Sequence, residues 1–117
     1  MSIIIHNIDE FVKQLKVCDQ EHKVVIIKAG ASWCEASRKI SPRLPEQYKC
    51  IEFNINEVPQ LSNFFNVTRT PYFICILPDK YKNISYNDLR HDGIDDELFN
   101  KWLHRINTKI KNKKKTN

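Results

Sequence analysis

The sequence lacks a Cys-x-x-Cys pair, and its four cysteines (Cys18, Cys34, Cys50 and Cys75) show no spacing typical of metal ligands. No stretch approaches the ~20 consecutive apolar residues of a membrane helix. The apolar run at residues 3–5 is too short for a signal peptide. We therefore expect no membrane partner, no metal and a reducing compartment, in which the cysteines are free thiols.

These absences predict an intracellular, cytoplasmic protein. The chain is also rich in Ile, Asn and Lys, whose codons are AT-rich, and this bias fits a large DNA virus among other sources. The virion is then the alternative location.

Acidic residues are absent from residues 107–117, which hold five of the 19 basic residues. The other 14 basic residues balance all 14 acidic ones, so the formal net charge of +5 lies in this tail. We interpret residues 1–106 as one neutral domain and residues 107–117 as a solvated, Lys-rich helix end. No aromatic side chain interleaves the lysines to stack on bases. Nucleic acid is therefore not an expected partner, apart from non-specific contact with the tail.

Apolar patterning predicts alternating strands and helices. Runs of β-prone residues predict strands at residues 3–5, 24–27, 51–55, 72–77 and 84–89. Capping signals and helical spacing predict helices that begin at Asn7, Cys34, Pro59 and Asp95. The positions expected to be buried in the last two helices are Leu61, Phe64, Phe65, Leu98, Phe99, Trp102, Leu103, Ile106 and Ile110.

The resulting order, β-α-β-α-β-α-β-β-α, indicates an α/β domain built on a parallel sheet. Right-handed crossovers between parallel strands would cover both faces of the sheet with helices. The last two strands form a hairpin, which makes the central sheet mixed.

One stretch carries the recognisable chemistry. The apolar run at residues 24–27 leads into Trp33-Cys34-Glu35-Ala36-Ser37, Pro42 follows Cys34 by eight residues, and Thr70-Pro71 precedes the run at residues 72–77. This arrangement resembles the thioredoxin family, in which a strand enters a Trp-Cys-x-x-Cys loop. In that family the first cysteine lies at the start of a helix that a proline kinks, and a cis-proline packs against this cysteine. The resemblance covers residues 1–106 and implies the thioredoxin fold.

The chain departs from the family pattern inside its motif. Ser37 stands in the place of the second cysteine, and Glu35-Ala36 replaces a glycine-proline pair. Lys28 stands six residues before Cys34, where the family has a buried acid that helps to move protons during release of the substrate. The segment between Pro42 and Pro71 is also shorter than usual.

The predicted catalytic residues are Cys34, Ser37 and Lys28. A thiolate is the attacking species in thiol–disulfide exchange, and a helix N-terminus favours a negative charge at Cys34. Ser37, one turn along, can donate a hydrogen bond to the sulfur. The Lys28 ammonium is a cationic neighbour if its side chain points toward the site.

A single thiol limits the reaction. Ser37 cannot resolve a mixed disulfide, so we expect exchange through mixed disulfides (isomerase-like, deglutathionylating or partner-trapping) rather than efficient dithiol reduction. The resemblance implies that Trp33, Thr70 and Pro71 contact the substrate. The expected partners are protein thiols or disulfides, with glutathione as a candidate co-substrate and no resident cofactor.

Two alternatives remain open from the sequence. The first is a non-catalytic binding or adaptor module that uses the groove around Trp33 and Pro71. The second is a single-cysteine glutaredoxin-like module, which shares an iron–sulfur cluster with glutathione. The four histidines are scattered along the chain, and no catalytic Cys-His pair is visible.

Overall fold

The computed structural model describes residues 2–31, 47–77, 89–93 and 95–115. The helix predicted to begin at Cys34 lies outside these residues. In chain order the described elements are β1 (Ser2–Ile4), α1 (Ile8–Gln20), β2 (Val24–Gly30), β3 (Tyr48–Asn54), α2 (Pro59–Phe64), β4 (Tyr72–Ile76), β5 (Arg90–Asp92) and α3 (Asp96–Lys115).

The described strands form one mixed sheet in the order β1-β3-β2-β4-β5. Strand β3 pairs in parallel with β1 and with β2, whereas β4 pairs antiparallel with β2 and with β5. The prediction of an α/β domain with a mixed central sheet is therefore confirmed.

Strand β2 lies at the centre of the sheet, and all seven of its residues are buried. This explains its continuous apolar run, because a strand covered on both faces has no solvent side. Val25 and Ile27 pack on one face of the sheet, and Val24 and Ile26 pack on the other.

Helices α1 and α2 cover the first face. Phe11 and Cys18 of α1 share its core with Leu61 of α2 and with Phe65 just beyond that helix. The Asn7 side chain caps α1 by accepting a hydrogen bond from the Glu10 backbone N–H at 2.9 Å, as the capping signal predicts. Pro59 begins α2, also as predicted.

Helix α3 covers the second face with Phe99, Trp102, Leu103 and Ile106, as the helical spacing predicts. Asp95 caps it by accepting from the backbone N–H groups of Glu97 and Leu98. The helix runs through the start of the tail without a break and ends at Lys115. None of the helices within the described residues is long and apolar enough to cross a membrane.

Two side chains expected in the core are exposed instead. Phe64 is 74% exposed and Leu98 is 53% exposed. Helix α2 has only six residues and buries few side chains. Phe65, which follows the helix, is buried in place of Phe64. Leu98 lies in the first turn of α3, before the buried stripe begins at Phe99.

An antiparallel return strand is present just after the predicted one. The prediction covered residues 84–89, of which residues 84–88 lie outside the described residues, so it stays a prediction there. The strand observed is β5, where Arg90, His91 and Asp92 pair with Ile74, Phe73 and Tyr72. Strand β5 is polar and contains no run of β-prone residues. An edge strand with half-exposed side chains needs little apolar surface, so apolar patterning does not indicate it.

Candidate functional site

One edge of the sheet gathers the ends of four strands. Here β2 and β3 end, β4 begins and β5 ends. The backbone N–H of Ile55, after β3, donates to the carbonyl of Gly30 at 2.9 Å, and the N–H of Gly93, after β5, donates to the carbonyl of Pro71 at 3.1 Å. Gly93 has a φ of +102°, a conformation that glycine adopts without steric cost. We call this region the loop edge.

Lys28 lies just inside the loop edge, on the face of the sheet covered by α3. Its side chain is 3% exposed, and its Nζ lies 3.4 Å from Oε1 of Glu52, whose side chain is 29% exposed. The two residues are direct neighbours in the register of β2 and β3. A buried ammonium is costly without a partner, so Glu52 explains how a lysine is tolerated in this core. The sequence predicted Lys28 but missed Glu52.

Thr70 and Pro71 lie at the loop edge, beside the end of β2. Ala29 pairs with Tyr72, so Pro71 comes next to Gly30 along the two antiparallel strands. The peptide bond between Thr70 and Pro71 is cis, as the resemblance implied. Pro71 is fully buried and Thr70 is half-buried, so the Thr70 side of this turn is the part open to solvent.

The segment predicted to be reactive is not among the described residues. Trp33, Cys34, Ser37 and Pro42 all fall between Ala31 and Gln47 and lie outside them. The structure therefore brings together Lys28, Thr70 and Pro71 at one edge of the sheet. The roles of Cys34, Ser37 and Trp33 stay predictions.

The three described cysteines are all buried. Cys18, Cys50 and Cys75 are between 2% and 4% exposed. Burial raises the pKa of the Cys75 thiol to about 12, and burial together with the Glu21 carboxylate raises the pKa of Cys18. Cys50 and Cys75 flank Ile26 on neighbouring strands. Two strand spacings of about 4.8 Å separate them by more than a disulfide can span.

Two known proteins resemble this chain over part of its sequence. The chain is 34% identical over 80 residues to "Thioredoxin H-type" of Oryza sativa subsp. indica, a match covering 63% of this chain and 66% of that protein. It is 27% identical over 63 residues to "Thioredoxin H2" of Arabidopsis thaliana, covering 49% and 47%. The chain thus spans about two thirds of the first relative and about half of the second. No family model matches the sequence.

Solved structures agree on the architecture. A poplar thioredoxin h superposes with a TM-score of 0.72 at 16% identity, covering 90% of this chain and 95% of that one. A thioredoxin from Nicotiana alata gives 0.67 at 18% identity, covering 88% and 90%. This is a thioredoxin fold. The two relatives and the two solved structures are all named as thioredoxins, so this chain is similar to thioredoxins in part of its sequence and in its fold.

This thioredoxin-like chain carries two further polar features at the loop edge that the sequence did not reveal. Arg69 Nη1 lies 3.7 Å from Asp92 Oδ2 across Pro71. Arg90 Nη1 donates to the carbonyl of Phe65 at 2.6 Å and to the Tyr72 hydroxyl at 2.9 Å. Arg90 therefore ties β5 to β4 and to the end of α2.

Two histidines have pKa values shifted in opposite directions within the described fold. The hydrogen bond between His6 Nδ1 and the Glu57 carboxylate, and then the charge of that carboxylate, raise the pKa of the exposed His6. Burial lowers the pKa of His91, with Arg105 acting in the same direction and Asp92 and Asp95 opposing. His91 stacks on Trp102 with ring centroids 5.5 Å apart. Among the described residues, no group of three His, Cys, Asp or Glu side chains is arranged to hold a metal.

Proposed function

We propose that this protein is a monothiol thiol–disulfide exchange protein in which Cys34 is the nucleophile. The observation that carries the proposal is the burial of the other three cysteines, Cys18, Cys50 and Cys75. A buried thiol with a raised pKa is a poor nucleophile. Cys34 is therefore the one cysteine left for the chemistry.

The loop edge supports this assignment. Cys34 follows Ala31 by three residues, a length of chain that reaches at most about 11 Å. Ala31 continues β2 at the edge where Thr70 and Pro71 lie. Trp33 and Thr70 would then contact an extended substrate beside the sulfur, with buried Pro71 beneath them.

The reaction conserves electrons without a cofactor. The Cys34 thiolate attacks one sulfur of a substrate disulfide, a new S–S bond forms, and the other substrate sulfur leaves as a thiolate. Ser37 provides no second thiol, and the buried cysteines are not placed to act as one. A thiol from outside, glutathione or a partner protein, completes the cycle by attacking the mixed disulfide. Protein disulfides and glutathione are thus the proposed substrates, and a reducing, cytoplasmic setting suits the reaction.

Lys28 acts on this site together with Glu52. Because the Glu52 carboxylate lies 3.4 Å from the Lys28 ammonium, the two charges largely cancel at a distance. The pair therefore presents a dipole to the thiolate rather than a full positive charge. Most of the stabilisation of the thiolate then falls to the backbone N–H groups at the helix start and to the Ser37 hydroxyl.

The test compares three proteins: the natural chain, Cys34→Ser and Ser37→Cys. Each is incubated with oxidised glutathione near neutral pH, and the adduct is measured by intact mass and located by peptide mapping. We expect one glutathione on Cys34 of the natural chain and none on Cys34→Ser. In Ser37→Cys, the new thiol should displace the glutathione, so that the adduct is replaced by an internal disulfide.

The outcomes separate the alternatives. An unreactive Cys34, with the Ser37→Cys variant also unreactive, would contradict the proposal and favour a binding module. In that case Cys34→Ser should retain partner binding. A coloured iron–sulfur species after anaerobic reconstitution with iron, sulfide and glutathione would favour the glutaredoxin-like alternative. The thioredoxin relatives reported above count against that alternative.

A further inference from the structure

An exposed ion pair brackets the turn that leads into β4. Arg69 precedes Pro71 by two residues, and Asp92 ends β5 opposite Tyr72. The Arg69 side chain is 78% exposed and that of Asp92 is 47% exposed, and their nearest charged atoms are 3.7 Å apart. The hydrogen bond from Gly93 to the Pro71 carbonyl fixes the backbone between them. Opposite charges therefore stand together beside Pro71, at the margin of the proposed substrate groove.

The ion pair between Arg69 and Asp92 can open so that Arg69 binds another carboxylate. Its 3.7 Å separation is longer than a charge-assisted hydrogen bond, and exposed ion pairs contribute little to stability. A guanidinium carries five N–H donors in a fork that matches a carboxylate. A carboxylate on an incoming substrate can therefore take the place of Asp92 at low cost.

The other charges near the loop edge are already engaged. Lys28 and Glu52 face one another inside the fold. The Asp95 carboxylate accepts from two backbone N–H groups at the start of α3. Burial lowers the pKa of His91, which disfavours its charged form. Arg69 is thus an exposed cation at this edge, and its partner Asp92 is itself partly exposed.

We propose that Arg69 makes this protein select disulfide substrates with acidic residues beside the reacting cysteine, and that Asp92 limits this preference by competing for the guanidinium. The inference rests on the proposed exchange at Cys34 and names its substrate class. A substrate carboxylate gains the guanidinium as a partner, whereas a substrate lysine is repelled by it. Removing Arg69 and removing Asp92 should therefore have opposite effects.

The test uses three short peptides, each with one cysteine flanked by two Glu, two Lys or two Gln residues and joined by a disulfide to thionitrobenzoate. Attack on the peptide sulfur releases this coloured thiolate. Because the leaving group is common to all three, the ratio of the Glu-peptide rate to the Lys-peptide rate isolates the effect of the flanking charge. The Gln peptide gives the reference rate.

The matched variants are Arg69→Gln, Asp92→Asn and Arg105→Gln, the last removing an exposed arginine from α3. We expect Arg69→Gln to lower the Glu-to-Lys ratio by about two- to fivefold, the range set by exposed charge pairs. Asp92→Asn should raise the ratio, and Arg105→Gln should leave it unchanged. The differences should shrink between 0.05 and 0.5 M salt, to roughly the extent that screening predicts.

Three results would overturn the inference. Arg69→Gln could give the same ratio as Arg105→Gln, or Asp92→Asn could shift the ratio in the same direction as Arg69→Gln. In either case exchange at Cys34 would stand while its substrate preference would not. A natural chain that releases no more thionitrobenzoate than Cys34→Ser would instead remove the proposed function, and this inference with it.

Discussion

The Glu52→Gln substitution tests whether the ion pair between Glu52 and the buried Lys28 stabilises the fold near the loop edge. Two unit charges 3.4 Å apart attract by about 5 kcal/mol at an effective dielectric constant of about 20. Removing one partner of a buried pair leaves the other charge uncompensated, at a cost of about 3–5 kcal/mol. The 29% exposure of Glu52 lets water reach the pair. We therefore expect a loss of about 2–3 kcal/mol in the free energy of unfolding.

The assay is chemical denaturation at pH 7, followed by the melting temperature. A loss of this size in a chain of 117 residues should lower the melting temperature by about 6–12 °C. Lys28→Met should cost less, because the remaining Glu52 carboxylate is partly hydrated. The double variant should cost less than Glu52→Gln alone, because it leaves no buried charge. The cycle of these variants gives the interaction energy of the pair.

An exposed pair on α3 provides the control. Lys101 Nζ lies 3.3 Å from Glu97 Oε1, but both side chains are more than 60% exposed. Glu97→Gln should cost less than about 1 kcal/mol, because water replaces the lost partner. If Glu52→Gln is no more destabilising than Glu97→Gln, or if the double variant is simply additive, Glu52 does not stabilise the buried lysine and the argument fails.

Three other substitutions probe the frame around the site, each followed by denaturation. Arg90→Met removes the hydrogen bond to the Phe65 carbonyl and should cost about 1–3 kcal/mol; a change below about 0.5 kcal/mol would contradict its role as a tie. Burial lowers the pKa of His91 in the folded state, so stability should fall as the pH drops through about 6.5, where the unfolded state binds the proton first. His91→Phe should remove the loss of stability at low pH that His91 causes, while its ring still packs against Trp102. A pH profile of stability equal to that of the natural chain would contradict this role of His91. Asn7→Ala should cost about 1 kcal/mol by removing the α1 cap, whereas Asn7→Asp, which keeps an acceptor, should stay near the natural chain; equal losses in both would refute the cap.

Much of the fold follows from local signals in the sequence. The run at residues 24–27 is apolar on both faces because β2 is covered on both faces. Asn7 with Glu10, and Pro59, mark helix starts because their side chains suit the unpaired backbone groups there. Apolar runs and helix-start signals involve residues close together in the chain, so these features can be predicted from the sequence.

Features that depend on distant partners were missed. Strand β5 has no apolar run, and its pairing with β4 depends on the position of the neighbouring strand. Glu52 lies in β3, and its partner Lys28 is 24 residues away in the chain. Lys28 itself could be identified by its distance from Cys34. The charge that compensates it became visible only through the register of the two strands.

The two ion pairs near the loop edge have similar lengths, 3.4 Å for Lys28–Glu52 and 3.7 Å for Arg69–Asp92, but opposite consequences. The Lys28 ammonium of the inner pair is buried, so removing its partner Glu52 costs stability. The outer pair is hydrated, so breaking it costs little and either member can turn to a substrate. Changes to the inner pair should therefore appear in unfolding experiments. Changes to the outer pair should appear in the rates with charged substrates.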